Sequence, residues 1–247
     1  MIVEFIGSTG SGKTTLISEV HRCLTKTGRV TTSIDLATGL LGLRGVTNPT
    51  LQNLAMEFVS LPVFILTLHR HNKFIGHTVK IFWRNTGFSM QTIHNLRSLV
   101  RKIGMYEITK HLGKDQVILV DEGPILAAHM FVPAGNIYTP EEITRFTDLL
   151  PLPDLVVYIR ASVDTLMERT LRRTDPPREV DLKNQARMEE YLKRAVAVFD
   201  QLTQAENILP RLLVVESLDI AEPGFDQVID SVYQSILDRS RQPIKPK

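Results

Sequence analysis

Gly7, Gly12, Lys13 and Thr14 stand in the spacing G-x-x-x-x-G-K-[ST], inside the stretch VEFIGSTGSGKTTLISEV at residues 3–20. The chemistry open to this pattern is the cradling of a phosphate chain. Glycines leave the backbone free to wrap an anion, so that its N–H groups and the N-terminus of the following helix point at the charge. Lys13 then reaches the β- and γ-phosphates, and the Thr14 hydroxyl ligates Mg²⁺. The expected nucleotide-binding residues are Gly7, Ser8, Thr9, Gly10, Ser11, Gly12, Lys13, Thr14 and Thr15.

A second acidic site follows the apolar run in VILVDEG. Asp121 ends that run, where a carboxylate can hold Mg²⁺ through water, so Thr14 and Asp121 are the candidate metal residues. Glu122 has three readings: it orients water, touches an acceptor, or is a surface carboxylate. Asp35 is expected at the end of a second strand, RVTTSIDLA, beside the phosphate loop. There it accepts or positions a hydroxyl proton; its plainer reading is a turn cap. The segment IRASVDTLMERTLRRTDPPREVD crowds arginines. Arg169 and Arg173 are four apart and share a helix face, with Arg172 and Arg178 nearby. Arginines so placed can neutralise charge on a transferring phosphoryl group. The plainer reading is a solvated basic face with Glu168–Arg172 as a helix pair. The catalytic candidates are thus Lys13, Asp35, Arg169 and Arg173.

These residues need a scaffold. Ile2–Ile6 reads as a first strand, and Leu16, Ile17, Val20 and Leu24 recur on one face of the helix after the loop. QVILV, LVVYI and RLLVV are short apolar runs without alternation, as in strands covered on both faces. Helical patterns separate them, including one at roughly 183–204 and one near 224–239. Ser162 is a plausible N-cap with Asp164 in the first turn. Five strands interleaved with helices predict an α/β, three-layer, doubly wound parallel sheet. Residues 39–110, mostly helical in pattern, read as an insertion or cap over the sheet's carboxyl edge. The whole chain, 1–247, reads as a single domain, with an arginine-rich lid at roughly 169–187.

No DxxG element follows the loop, NKFI at 72–75 lacks the aspartate of a guanine-reading motif, and no LSGGQ-type signature is present. The remaining series, FIGSTGSGKTT, VILVDEG, PDLVVYIRASVDTLMERTLRR and EYLKRAVAVF, resembles the thymidylate kinase and deoxynucleoside kinase family of P-loop proteins. The resemblance covers about half the chain. It implies ATP and Mg²⁺, a five-stranded parallel sheet, and transfer of the γ-phosphoryl to a hydroxyl or phosphate; the expected acceptor is a nucleoside, a nucleotide or, given the departure below, a sugar-like metabolite. It also implies lid roles for Arg169, Arg172 and Arg173. The chain departs from the pattern after the third strand, where Asp121–Glu122 stands in place of an acid followed by arginine. That acidic pair keeps a second reading open: a P-loop ATPase that uses water, with a regulatory or mechanical role.

The rest of the sequence bounds the setting. A chain of 247 residues with net charge +2, 43% hydrophobic and 23% charged, is ordinary for a globular protein. The single cysteine, Cys23, excludes an internal disulfide and fits a cytoplasmic setting. The most apolar stretch, FVSLPVFILTL at 58–68, reads as too short to span a bilayer. The expected partner is a small-molecule acceptor, with no nucleic acid and no membrane; a homodimer is left open. His69, His71 and His77, with Arg70, Lys73, Lys80 and Arg84, form a basic stretch that can bind an anion but reads more simply as solvated. Trp83 is expected to be buried.

Overall fold

The computed structural model describes residues 1–26, 28, 30–112, 116–133, 135–136, 138–173 and 184–241. Its centre is a five-stranded sheet in the order β2-β3-β1-β4-β5, with every pair parallel. The strands are β1 (Ile2–Ile6), β2 (Val30–Thr32), β3 (Val117–Val120), β4 (Leu155–Arg160) and β5 (Leu212–Glu216). The helices are α1 (Lys13–Thr25), α2 (Ser33–Leu40), α3 (Pro49–Thr86), α4 (Met90–Leu112), α5 (Pro140–Leu149), α6 (Val163–Leu171), α7 (Gln185–Thr203) and α8 (Phe225–Arg241). A 3-10 segment, Pro124–Phe131, follows β3.

The continuous apolar runs are strands covered on both faces. Val3, Phe5, Leu155 and Val157 pack with Leu16, Val20, Ile229 and Val232 of α1 and α8. Ile6, Val156 and Tyr158 turn the other way, toward Phe74, Ile103, Phe146 and Phe199. Successive strand residues point to opposite faces, so each strand feeds both layers. Local signals set the helix ends. The Asn48 side chain accepts from the Thr50 N–H at 2.9 Å ahead of Pro49. Ser162 accepts from the Thr165 N–H at 3.1 Å. Thr139 and Glu142 cap α5 reciprocally.

The second strand is shorter than its β-branched sequence predicts. It stops at Thr32, whose hydroxyl accepts from the Asp35 N–H at 3.0 Å and donates to the Asp35 carboxylate at 2.8 Å. This T-x-x-D pattern starts a helix. Asp35 therefore lies in the first turn of α2, not at a strand end. The sheet order also corrects the expected neighbourhood, because β3 lies between β2 and β1.

Residues 39–110 supply the two longest helices. The apolar stretch at 58–68 is not an isolated short segment; it belongs to the 38-residue α3, which contains a window long and apolar enough by composition to cross a membrane. One face of α3 is committed to the protein, with Ala55, Met56, Ser60 and Thr67 buried. Pro62 lies inside the helix and removes one backbone donor. Trp83 is 56% exposed, contrary to expectation, and meets the edge of Phe88, ring centroids 6.3 Å apart.

The α3–α4 contact is close. A Cβ on Gly104 would collide with the Ser60 carbonyl oxygen and stand 2.6 Å from the Ser60 Cβ. Gly104→Ala sets two effects against each other. Helix propensity favours alanine by roughly 1 kcal/mol, whereas forcing two helices apart costs about 1–3 kcal/mol. The collision is with backbone, which cannot rotate away, so the clash wins. Gly104→Ala is expected to lower the urea midpoint at unchanged m-value.

Candidate active site

β1 lies between β3 and β4, so its C-terminal end opens into the middle of the sheet's carboxyl edge. The chain leaves β1 through Gly7, whose backbone passes so close to β4 that a Cβ would stand 2.7 Å from the Ile159 carbonyl oxygen. Gly12, at φ 86°, then turns the chain into α1. Only glycine takes this left-handed conformation at little cost. Lys13 folds over the loop and donates to the carbonyls of Gly7 at 2.9 Å and Ser8 at 3.0 Å. Burial brings its pKa down to about 8, against an upward pull from Asp121; Arg173 adds to the fall.

The register Glu4↔Val120 between β1 and β3 places Asp121 beside the loop. The Thr14 hydroxyl donates to the Asp121 carboxylate at 3.2 Å. Burial raises the Asp121 pKa, while Lys13 opposes that rise. A hydroxyl and a carboxylate at this separation suit Mg²⁺, which binds through one or two such groups and leaves positions for phosphate oxygens and water. Among the described residues, no cluster of three or more His, Cys, Asp or Glu could hold a metal by itself.

Glu122 stands next to two cations that sequence reading did not place here. Arg101 of α4 donates to its carboxylate, and Lys102 Nζ is 3.9 Å away. Burial pushes the Glu122 pKa up, but Lys102 and Arg101 outweigh it and hold the group below its ordinary value. An arginine thus stands beside Glu122 after all, brought from α4, 21 residues upstream. Nothing in the spacing signals this, because only the packing of α4 over β3 creates it.

Beneath the loop, Glu4 points out of β1 into a fully buried position and accepts from the Ile125 N–H at 2.8 Å. Gly123 leaves the room: a Cβ there would fall on the Glu4 carboxyl group. Burial raises the Glu4 pKa to about 8, against hydrogen bonds from Ile125 and Leu126 and the charge of Lys102. The carboxyl is thereby largely neutral at pH 7. It anchors the 3-10 segment, which carries His129. That imidazole packs edge-on to Phe199 at 5.1 Å, and burial, then Lys13 and Lys102, lowers its pKa to about 3. It is neutral throughout the physiological range.

Of these residues Lys13, Thr14, Lys102, Asp121, Glu122 and His129 border one cavity of about 820 Å³. Its phosphate end has Gly10, Gly12, Lys13, Thr14, Asp121 and Arg173. Its lining also includes Phe82 and Thr86 from α3, Gln91, Asn95, Leu99 and Lys102 from α4, and His129 and Met130 from the 3-10 segment.

The other predicted residues fall in several places. Arg169 lines the cavity but is latched behind the loop, donating to the Ser217 hydroxyl at 2.5 Å and pairing with Asp219 at 2.8 Å. Ser217 donates in turn to the Ser11 carbonyl at 2.7 Å, so the segment after β5 braces the loop. Arg172 makes the helix-surface pair with Glu168. Asp35 is not brought to this cavity; it lines a separate one with Thr38, Arg44 and Gln116. Arg178 and much of the expected lid lie outside the described residues. In the basic stretch, Arg70 and His71 pair with Glu107, and Arg84 clasps Glu142 with bonds of 2.6 and 2.9 Å.

The fold can be set beside known proteins. Deoxyadenosine kinase from M. mycoides, solved with bound dATP, matches with a TM-score of 0.51 at 16% identity, covering 96% of this chain and 100% of that one. Shikimate kinase from Bacteroides thetaiotaomicron matches at 11% identity over 98% and 99% of the chains; its TM-score of 0.42 is too low to carry an argument. No family model matches the chain, and no curated protein matches it. The chain shares its α/β fold, with the parallel sheet order β2-β3-β1-β4-β5, with that deoxyadenosine kinase.

Two titrations are expected at this site. Above about pH 8 Lys13 loses its proton, and a triphosphate held at this loop would restore it. ATP affinity is expected to fall as pH climbs from about 7 to about 9.5, with proton uptake on binding in calorimetry. Lys13→Arg, which stays charged, binds more weakly but without that slope. For Glu4 the folded pKa exceeds the unfolded one, so its contribution to stability is full below about pH 4.5 and is lost as pH rises through about 8. Denaturant melts of Glu4→Gln are expected to gain on the wild type over that window.

Proposed function

We propose that this protein is an ATP- and Mg²⁺-dependent phosphotransferase that moves the γ-phosphoryl group to a hydroxyl or phosphate of a small molecule. One observation carries the reading. The cavity at the phosphate loop is lined also by α3, α4 and the 3-10 segment, which together wall a compartment beside the loop. Its volume falls within the roughly 300–1,000 Å³ of small-molecule sites. A protein that passes phosphate to water has no need of such a compartment.

The compartment's chemistry describes the acceptor. Phe82, Leu99 and Met130 offer apolar faces, while Thr86, Gln91 and Asn95 offer hydroxyl and amide groups that donate and accept. This suits a neutral ring carrying polar substituents, such as a nucleoside or a sugar-like metabolite. The M. mycoides enzyme is a deoxyadenosine kinase, which favours the nucleoside.

In this reading the backbone of Gly7–Thr14 holds the triphosphate, and Lys13 turns from the loop carbonyls toward the β- and γ-phosphates. Thr14 and Asp121 hold Mg²⁺, which neutralises charge developing on the phosphoryl oxygens. Arg173 adds positive charge at the same end. Glu122, kept ionised by Lys102 and Arg101, orients the attacking hydroxyl. Its place at the cavity makes it the acceptor-facing carboxylate in preference to Asp35.

The test uses γ-labelled ATP with a panel of nucleosides, nucleotides and sugars, following the label. Transfer to an acceptor is expected, with Glu122→Gln slower by about 10²–10⁴-fold and Asp35→Asn near the wild-type rate. Acceptor-independent release of label as inorganic phosphate, slowed in Glu122→Gln, supports the ATPase instead.

A further inference from the structure

The outer face of α3 carries apolar side chains that nothing among the described residues covers. Leu51, Leu54, Phe58, Leu61, Ile65 and Leu68 are all exposed, Phe58 by 70%. Their spacing is 3-4-3-4-3, the strict seam of a helix that packs along another helix. Leu66, 73% exposed, widens the stripe. Together these side chains present on the order of 700 Å² of apolar surface, close to the ~800 Å² that each partner brings to a standard interface. Patches of this size on soluble domains mark interaction sites.

We infer that this stripe is a homodimer surface, in which α3 packs antiparallel against α3 of a second copy about a two-fold axis between Val59 and Ser60. A two-fold interface requires a self-complementary patch. About that axis Leu51 faces Leu68 of the other copy, Leu54 faces Ile65, and Phe58 faces Leu61. Each pair sets one large apolar side chain against another, with no charge opposed to a like charge. The border is polar, as interface rims are: Glu57 pairs with Arg97 at 2.5 Å, and Asn53 accepts from Arg101 at 3.0 Å, both across to α4. Past Leu68 the exposed face turns polar at His69, Arg70, Asn72 and Lys73, so the seam has a defined end.

The composition favours a protein partner over a lipid surface. Residues 51–68 contain no lysine or arginine and a single acid, Glu57. Helices that lie in a membrane interface carry basic residues along the polar face. The buried inner face, with Ala55, Met56, Ser60 and Thr67, also ties one side of α3 to the core.

Sedimentation and light scattering without lipid test the inference. The wild type is expected at twice the chain mass at micromolar concentration. Phe58→Glu and Leu61→Lys, both on the exposed face, should each weaken self-association by about 30-fold or more while melting cooperatively near the wild-type temperature. Mixing the two variants should restore a dimer, because the carboxylate introduced in one then meets the ammonium introduced in the other across the axis. A variant that simply misfolded could not be rescued this way. A monomeric wild type, dimers that persist in both single variants, failure of the mixture to pair, or capture of the monomer on anionic vesicles through this face overturns the inference. Oligomeric state is read without ATP or acceptor, so its outcome is independent of the proposed activity.

Discussion

The parallel pairing of β1 with β3 and β4 is the constraint on which the site depends. β1 is hydrogen-bonded on both sides, so its carboxyl end cannot shift without breaking two ladders. The phosphate loop is fixed at the point where β1 ends, pressed against the Ile159 carbonyl by Gly7. The same register delivers Asp121 to the Thr14 hydroxyl. A slip of one residue would turn Asp121 to the other face, since strand side chains alternate.

A second layer of design is electrostatic. Lys13, Lys102 and Arg101 lie among Glu4, Asp121 and Glu122, and burial strengthens each interaction. The carboxylates are not equivalent. Glu4, fully enclosed, is held largely neutral and serves the backbone of the 3-10 segment. Glu122, half exposed beside two cations, stays charged. One acid therefore organises the wall of the cavity and another faces its contents. His129, kept uncharged by burial and the neighbouring lysines, lets that wall contribute a polar ring without adding to the positive charge.

The long α3–α4 hairpin gives the cavity part of its lining. Its two helices approach at Gly104 and Ser60 as closely as backbones allow, which brings Phe82 and Thr86 into line with Asn95 and Leu99. The outer face of α3 is correspondingly free of the core, and its heptad stripe is the most apolar surface that the hairpin presents. One element thus bears the proposed acceptor compartment on one side and the proposed dimer seam on the other.

The sequence by itself determined the elements whose physics is local. Five strands, the phosphate loop, the Ser162 cap and the terminal helices were all legible, because apolar runs, glycine spacing and capping residues act over a few positions. Asp121 was legible for the same reason, as the polar end of an apolar strand. Even the T-x-x-D signal that makes Asp35 part of a helix was in the sequence, though β-branched neighbours masked it. Tertiary structure alone decided the rest. Arg101 and Lys102 reach Glu122 only through the packing of α4 over β3, and Arg169 is turned to the back of the loop by Ser217 and Asp219 from beyond β5. The apolar stretch of α3 has one face in the core and one outside, a division set by where α4 lies. Such contacts join residues far apart in the chain, and no local propensity encodes which of many surfaces will meet.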